Sequence, residues 1–486
     1  MGSIPTGPIF PPSTNFGILQ ANFGNHCEMQ RASMLPLSFG FMERKSIEIL
    51  RRDTEVVASG QHILYFPIVV DAVEGDTIVD IDGNRYIDFL SSASSLNMGG
   101  MNPQIRQAVG RQMEKCTQYC TCYTLNRPMV DYAERLTSIY PGGIPAKVFF
   151  TLSGSDAADI AYCFAKAYTK RNHFISFRNS FHGNTYASSN LSDMEGEELP
   201  LLSNIHRFHY FHENDAVPLD GDYLAEMKDA FKKGLSPGDV AAVFIEPIQG
   251  DGGLRPAKKE FMYQLYGFCK EHGILFICDE VQQAFFRSGS WFSIDRYGLV
   301  PDGIIMGKSL GAGFPLGGFM ARSEIIDSLS ATVCASTMAG YHLACAAGIA
   351  QFDYMGQKSF RTMLDEKSRL FESLARDIAG RCKWKTRLSL SGVGFSYGLQ
   401  VFDRKTGLSD RLTAFKIVFR CYELGLLIIT IAGNTIRLQP PFSISNENLE
   451  KGFELLERAM DDIDKGYASN EMLYFYRKRY PGTDKA

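Results

Sequence analysis

The chain has 486 residues, 45% of them hydrophobic and 21% charged, which is enough to bury a large core and too long for one pair of layers. A net charge of -4 and a pI near 6.2 exclude a global pull toward nucleic acid or anionic membrane, and no apolar run is long enough to span a bilayer. Eleven cysteines, an odd number, argue against a secreted disulfide framework, so reduced thiols in a cytoplasmic compartment and a small-molecule partner are the expectation.

Residues 1–45 are rich in Pro, Gly, Ser and Asn without a sustained period and read as an N-terminal arm. Residues 46–100 include DAVEGDTIVDIDGNRYIDF, two alternating strands around Asp82-Gly83-Asn84, and open the folded part. Cys116, Cys120 and Cys122 follow at a spacing that fits none of the common zinc patterns, so no metal is expected there. Within residues 101–340, short β-branched or aromatic runs (VFFTL, HFISF, VAAVFIEP, ILFICDE, DGIIMG, GGFMAR) alternate with helical stretches, the pattern of a large α/β domain on a mainly parallel sheet flanked by helices. Residues 341–465 mix helices with strands such as GFSYGLQVF and suggest a smaller α+β domain; residues 466–486, aromatic and basic, read as a surface tail.

Three segments carry chemistry. In PDGIIMGKSLGAGFPLGG a short apolar strand runs into Lys308 and a glycine-rich turn. A solvated lysine is the ordinary reading, but a lysine in a desolvated pocket has a lowered pKa and becomes a nucleophilic amine. In ILFICDEVQQAFFRSG an apolar strand ends in Asp279, at the end where parallel sheets bind ligands, although a helix cap explains that position equally well. In KVFFTLSGSDAADIAYCFAKAY a strand is followed by Gly154 and Ser155 and then by apolar residues at helical spacing; such a helix N-terminus is a phosphate seat or an ordinary N-cap.

Taken together, from about Asp71 to Lys465, the motifs DIDGNRYIDF, SGSDA, FHG, EPIQGDGG, DEVQ, GKSLGAGFPLGG, STMAG and IRLQPP stand in the order of the class III, fold type I aminotransferases, the family of 4-aminobutyrate and ornithine aminotransferases, which the chain resembles. The resemblance implies pyridoxal 5'-phosphate as cofactor, an amine or amino acid and a keto acid as substrates, and a homodimer or dimer of dimers. It implies that Lys308 carries the cofactor and that Asp279 keeps the ring nitrogen protonated. Gly154 and Ser155 would cradle the phosphate, Phe181 and Val281 flank the ring, and Gln282 reach the ring hydroxyl. Thr337 would reach the phosphate held by the neighbouring subunit. His182 and Glu246 belong to the same cofactor-binding motifs, and Arg437, with Tyr123, is expected at the substrate, the arginine on its carboxylate.

Departures from the family pattern are Ala158, where asparagine is usual, Gly99-Gly100 in place of a Gly-His pair, and Tyr341-His342 in place of Asn-Pro. Asp251 stands where glutamate commonly gates the arginine, and with ILFICDEV and ITIAGNTIRLQPP it makes the chain most similar to the isoleucine 2-epimerase branch. Transamination needs one base, Lys308; a racemase or 2-epimerase needs a second acid/base, for which Asp251 is the candidate. A decarboxylase and a non-catalytic binding protein are the remaining alternatives.

Overall fold

The structure is a computed structural model that describes residues 44–193, 202–329 and 334–480. The expected arm therefore lies outside the described residues except at its last two positions. One compact unit, residues 1–57, contributes a helix, Lys45–Val56; the second spans residues 58–486.

The second unit opens with β1 (Val70–Glu74), β2 (Thr77–Asp80) and β3 (Arg85–Asp88), antiparallel neighbours as the alternation predicts. The turn between β2 and β3 is held by Asp80, whose carboxylate accepts from the backbone of Asp82 and Asn84. Next come β4 (Ala146–Thr151), β5 (His173–Phe177), β6 (Ile205–Phe208), β7 (Val240–Ile245), the short ribbon β8 (Ile248–Gln249) and β9 (Arg255–Pro256), then β10 (Leu275–Asp279), β11 (Gly303–Met306) and β12 (Gly317–Arg322). Seven of these form one sheet in the order β4-β12-β11-β10-β7-β5-β6. All its pairings are parallel except the two made by β12, so within the described residues β12 alone runs against the others. Every residue of β7 and β10 is buried, which is why both read as unbroken apolar runs rather than alternations.

The helix Gly154–Thr169 lays Ala157, Ala158, Ala161, Phe164 and Ala165 on this sheet, against Phe174, Ala242, Phe244, Ile277 and Phe319 among others. Small residues on its inner face let helix and sheet approach closely. Ala158, one of the departures noted in the sequence, is thus a core residue.

The C-terminal part carries β13 (Thr386–Val393), β14 (Ser396–Asp403), β15 (Leu426–Leu427), β16 (Ile429–Ile431) and β17 (Thr435–Leu438). Four make a second sheet, β13-β14-β17-β16, while β15 pairs in parallel with β3 and so adds a C-terminal strand to the sheet of β1, β2 and β3. The expected surface tail is corrected here. Asn470–Arg479 is a helix with Met472, Phe475 and Tyr476 buried; Phe475 and Tyr476 meet Phe419 and Phe415 of the helix Arg411–Leu424. The apolar side chains at i, i+3 and i+4 supply a face that burial stabilises. No helix among the described residues is long and apolar enough to cross a membrane.

Ser91, Ser92, Ala93 and Ser94 form one left-handed turn, with φ of 43°, 50°, 54° and 67°. Each L-residue there costs roughly 1–2 kcal/mol, so something must hold the segment. Part of the restraint is Asp88, whose Oδ1 accepts from the N–H groups of Leu90 (2.7 Å) and Ser91 (2.9 Å).

Candidate active site

Gly154, Phe181, Glu246, Asp279 and Lys308 each follow or end β4, β5, β7, β10 and β11, strands that point the same way, so five carboxyl ends open on one side of the sheet. That is where parallel sheets place their ligands. One cavity there is lined by Gly154, Ser155, Phe181, His182, Glu246, Asp251, Asp279, Val281, Gln282 and Lys308, all foreseen from sequence. Gly183, Asn184, Ile248 and Gln283 line it too and were not foreseen. The available signal was the motifs themselves: Gly183 and Ile248 stand inside FHG and EPIQGDGG, and Asn184 and Gln283 directly follow FHG and DEVQ.

Lys308 begins a tight turn directly after Gly307, and its own φ is 44°. Burial drives its amine below the usual lysine pKa, opposed by the carboxylates of Asp279 and Glu246. A side chain on Gly307 would come within 2.9 Å of the Gly154 backbone, so the absence of one lets the Lys308 turn meet the helix N-terminus. Gly183, at φ 137°, faces Ser155 so closely that a Cβ would lie 2.5 Å from Oγ. Ser155 Oγ also accepts from Asn184 N–H at 3.1 Å, joining the two loops.

Asp279 is buried and doubly held: Oδ1 accepts from Val281 N–H at 3.0 Å, and Oδ2 lies 2.8 Å from His182 Nδ1. Burial disfavours protonated His182, but the Asp279 carboxylate outweighs it and the imidazole pKa is raised. Glu246 is pushed up to about 7 by burial, with the negative charge of Asp279 adding to the rise. Its two oxygens accept from Phe181 N–H (3.0 Å) and Gly250 N–H (2.9 Å), so it ties the Phe181-His182 loop to the turn that carries Asp251. Glu280, beside Asp279, instead accepts from Ser293 and Ile294 N–H and shapes the following loop.

Asp251 pairs with the buried Arg437 of β17. Burial lowers the guanidinium to about 10, and its Nε has no hydrogen-bond partner among the described residues. A buried donor without an acceptor is costly, and an oxygen anion brought to it would offset that cost.

Three expected residues do not line this cavity, and one of them, Arg437, meets it only through its pair with Asp251. Tyr123 is 87% exposed and Thr337 is exposed, and neither lines the space around Lys308 of the same chain. They share one surface: Thr337 O accepts from Thr121 N–H at 3.2 Å and from Gln118 Nε2 at 3.0 Å. The loops that carry them bond to each other rather than to the sheet.

The residues fit pyridoxal phosphate by the chemistry of their donors. A low-pKa amine, a carboxylate backed by an imidazole, an aromatic ring, and the N-terminus of a 16-residue helix with a serine hydroxyl all face one space.

Comparison with known proteins gives the same family. Residues 57–460 match the model of the aminotransferase class-III family. An isoleucine 2-epimerase from Lentilactobacillus buchneri is 35% identical over 441 residues, covering 87% of this chain and 96% of that protein. A probable 4-aminobutyrate aminotransferase from Bacillus subtilis is 32% identical over 404 residues, covering 80% and 91%. Among solved structures, an omega-aminotransferase from Paracoccus denitrificans superposes with a TM-score of 0.78 at 23% identity, covering 86% of this chain and 99% of that one, a likeness of fold.

Proposed function

The chain belongs to the class-III aminotransferases, a family of pyridoxal-phosphate enzymes, and on that premise we propose that it moves an amino group between an amine or amino acid and a keto acid with Lys308 as the cofactor-bearing lysine and base. When bound, the cofactor supplies an electron sink for the charge left at the substrate's alpha carbon. Gly154 and Ser155 would hold its phosphate, Phe181 and Val281 would hold its ring, and Gln282 would bind the ring hydroxyl. Asp279 would keep a proton on the ring nitrogen, and His182 and Val281 N–H fix the direction of its carboxylate. Lys308 removes the alpha proton; its lowered pKa keeps more of the amine neutral and able to act as base. Arg437 binds a substrate carboxylate when that group displaces Asp251. The single observation that carries the reading is that the Lys308 amine and the Asp279 carboxylate line one cavity with the N-terminus of the helix Gly154–Thr169.

A second reading, amino-acid 2-epimerisation, is favoured by one observation: Asp251 lines the same cavity as Lys308 and would be the second acid/base. The similarity to an isoleucine 2-epimerase supports it. The test is incubation with pyridoxal phosphate and one L-amino acid at a time, including isoleucine, ornithine and 4-aminobutyrate, without a keto acid. Stoichiometric keto-acid release with a changed cofactor spectrum establishes transamination. Catalytic loss of chirality with solvent-deuterium incorporation and an unchanged spectrum establishes the epimerase.

We also propose a homodimer or dimer of dimers in which Tyr123 and Thr337 serve the neighbour's site; the exposed Tyr119, Tyr123, Leu125 and Met338 on those loops support it. Residues 101–340 are proposed as the cofactor-binding domain, 46–100 with 341–465 as the smaller one, and the cytoplasm as the location.

A further inference from the structure

Arg287 is fully buried, yet it is not among the residues that line the Lys308 cavity. Its terminal nitrogens reach four oxygens on three distant segments. Nη1 donates to the carbonyls of Phe395 (3.0 Å) and Pro440 (2.7 Å), and Nη2 donates to Ser91 Oγ (2.9 Å) and Asn97 Oδ1 (2.5 Å). The guanidinium also lies 4.7 Å from the Phe442 ring centroid. Taking such a group out of water is costly, and its acceptors offset that cost only in an arrangement that satisfies them together.

The backbone on both sides of these contacts is strained. Ser91–Ser94 is the left-handed turn described above, and Phe285 and Phe286, which lead into Arg287, have φ of 56° and 65°. Bulky residues persist in that region only when their surroundings over-determine them. Phe285 and Phe286 N–H donate to Trp291 O (2.7 Å) and Ser290 O (2.8 Å), which aims the next side chain inward.

The contacts lead to both ends of the proposed site. Ser91 Oγ accepts from Arg287 and donates to Gln439 O at 2.8 Å, and Gln439-Pro440 follows the strand that carries Arg437. On the other side, Leu96 lies between Ser91 and Asn97 and packs so closely on Gly313, in the glycine-rich loop after Lys308, that a Cβ there would sit 2.7 Å from its Cδ2.

We propose that Arg287 is a positioning residue that sets the separation between the Lys308 turn and Arg437, and thereby the length of aliphatic carboxylate that the site selects. The proposal rests on Arg437 as the carboxylate-binding group.

The probes are unreactive linear carboxylates from propionate to hexanoate, titrated calorimetrically into the cofactor-loaded enzyme, its Arg287→Lys and Ser91→Ala variants, and Arg437→Met. Ser91→Ala removes the bridging hydroxyl without unpairing the whole guanidinium, so it serves if Arg287→Lys does not fold. The expected result is a preference for one chain length in the parent. In either variant that acid loses on the order of tenfold in affinity, about 1.4 kcal/mol. The poorer acids and the pyridoxal-phosphate affinity stay unchanged, and the KM of a matching amino acid rises without a fall in kcat. An unchanged length profile overturns the proposal. So does a parallel loss for all acids and cofactor, which marks a purely structural role, or a parent with no length preference. If Arg437→Met leaves carboxylate binding intact, the Arg437 reading itself has failed, and that result is separate from the others.

Discussion

His182 Nδ1 lies 2.8 Å from Asp279 Oδ2, with both side chains buried, so the imidazole proton is committed to the carboxylate. Asp279→Asn removes the charge that raises the His182 pKa against the effect of burial, and the imidazole then titrates at lower pH. Ring-proton NMR checks the direction. Turnover is expected to fall on the order of 10²–10³-fold, the range for losing one electrostatic stabiliser.

Lys308→Ala removes the one lysine amine that lines the cavity among the described residues. Exchange of the substrate alpha proton with deuterated solvent should fall roughly 10²–10⁴-fold, the contribution of a positioned base. Retained exchange would transfer the role to another group, with Asp251 the first to mutate.

Glu246 connects stability to pH. Its pKa rises from 4.5 to about 7 on folding, so between those values the native state holds a proton that the unfolded chain has released. Stability from this group is complete below pH 4.5 and is lost as pH rises through 7. Glu246→Gln removes the titration, so its melting temperature should decline less than the parent's across that window. Glu280, pushed up to about 8, acts in the same sense in both proteins, so the difference between the two curves is the measurement.

Phe475→Ala should destabilise the second unit by about 3–5 kcal/mol in a denaturant titration, the usual cost of emptying a buried aromatic site. Removal of residues 466–486 should cost at least as much. An equally stable truncated chain would make the helix Asn470–Arg479 an ornament of the surface.

The central sheet was legible because its inner strands, such as VAAVFI and LFICD, are buried end to end and carry unbroken apolar text. Asp279, Lys308 and Gly154 were legible because each stands where such a run stops. The helix Asn470–Arg479 was missed although Met472, Phe475 and Tyr476 carry its period, because the basic residues Arg477, Lys478 and Arg479 made the segment read as solvated. The turn Ser91–Ser94 contains no glycine to announce positive φ, and its restraint comes in part from Arg287, almost two hundred positions away. Burial of that arginine depends on acceptors from three parts of the chain, which no local pattern encodes. Tyr123 was expected at the substrate and Thr337 at the neighbouring subunit's phosphate, and in the single chain their loops bond to each other at the surface.

The strand β4 is the first of the central sheet to be synthesised and its pairing partner among the described residues, β12, is the last. Throughout the synthesis of everything between them, Val148, Phe149 and Phe150 sit on a strand without a hydrogen-bonded neighbour. Such an edge templates aggregation, and a pairing so distant in sequence closes slowly. Soluble recovery of this protein from a foreign host is therefore expected to rise with shielding of the nascent chain until β12 emerges, and to fall when elongation in that stretch is slowed.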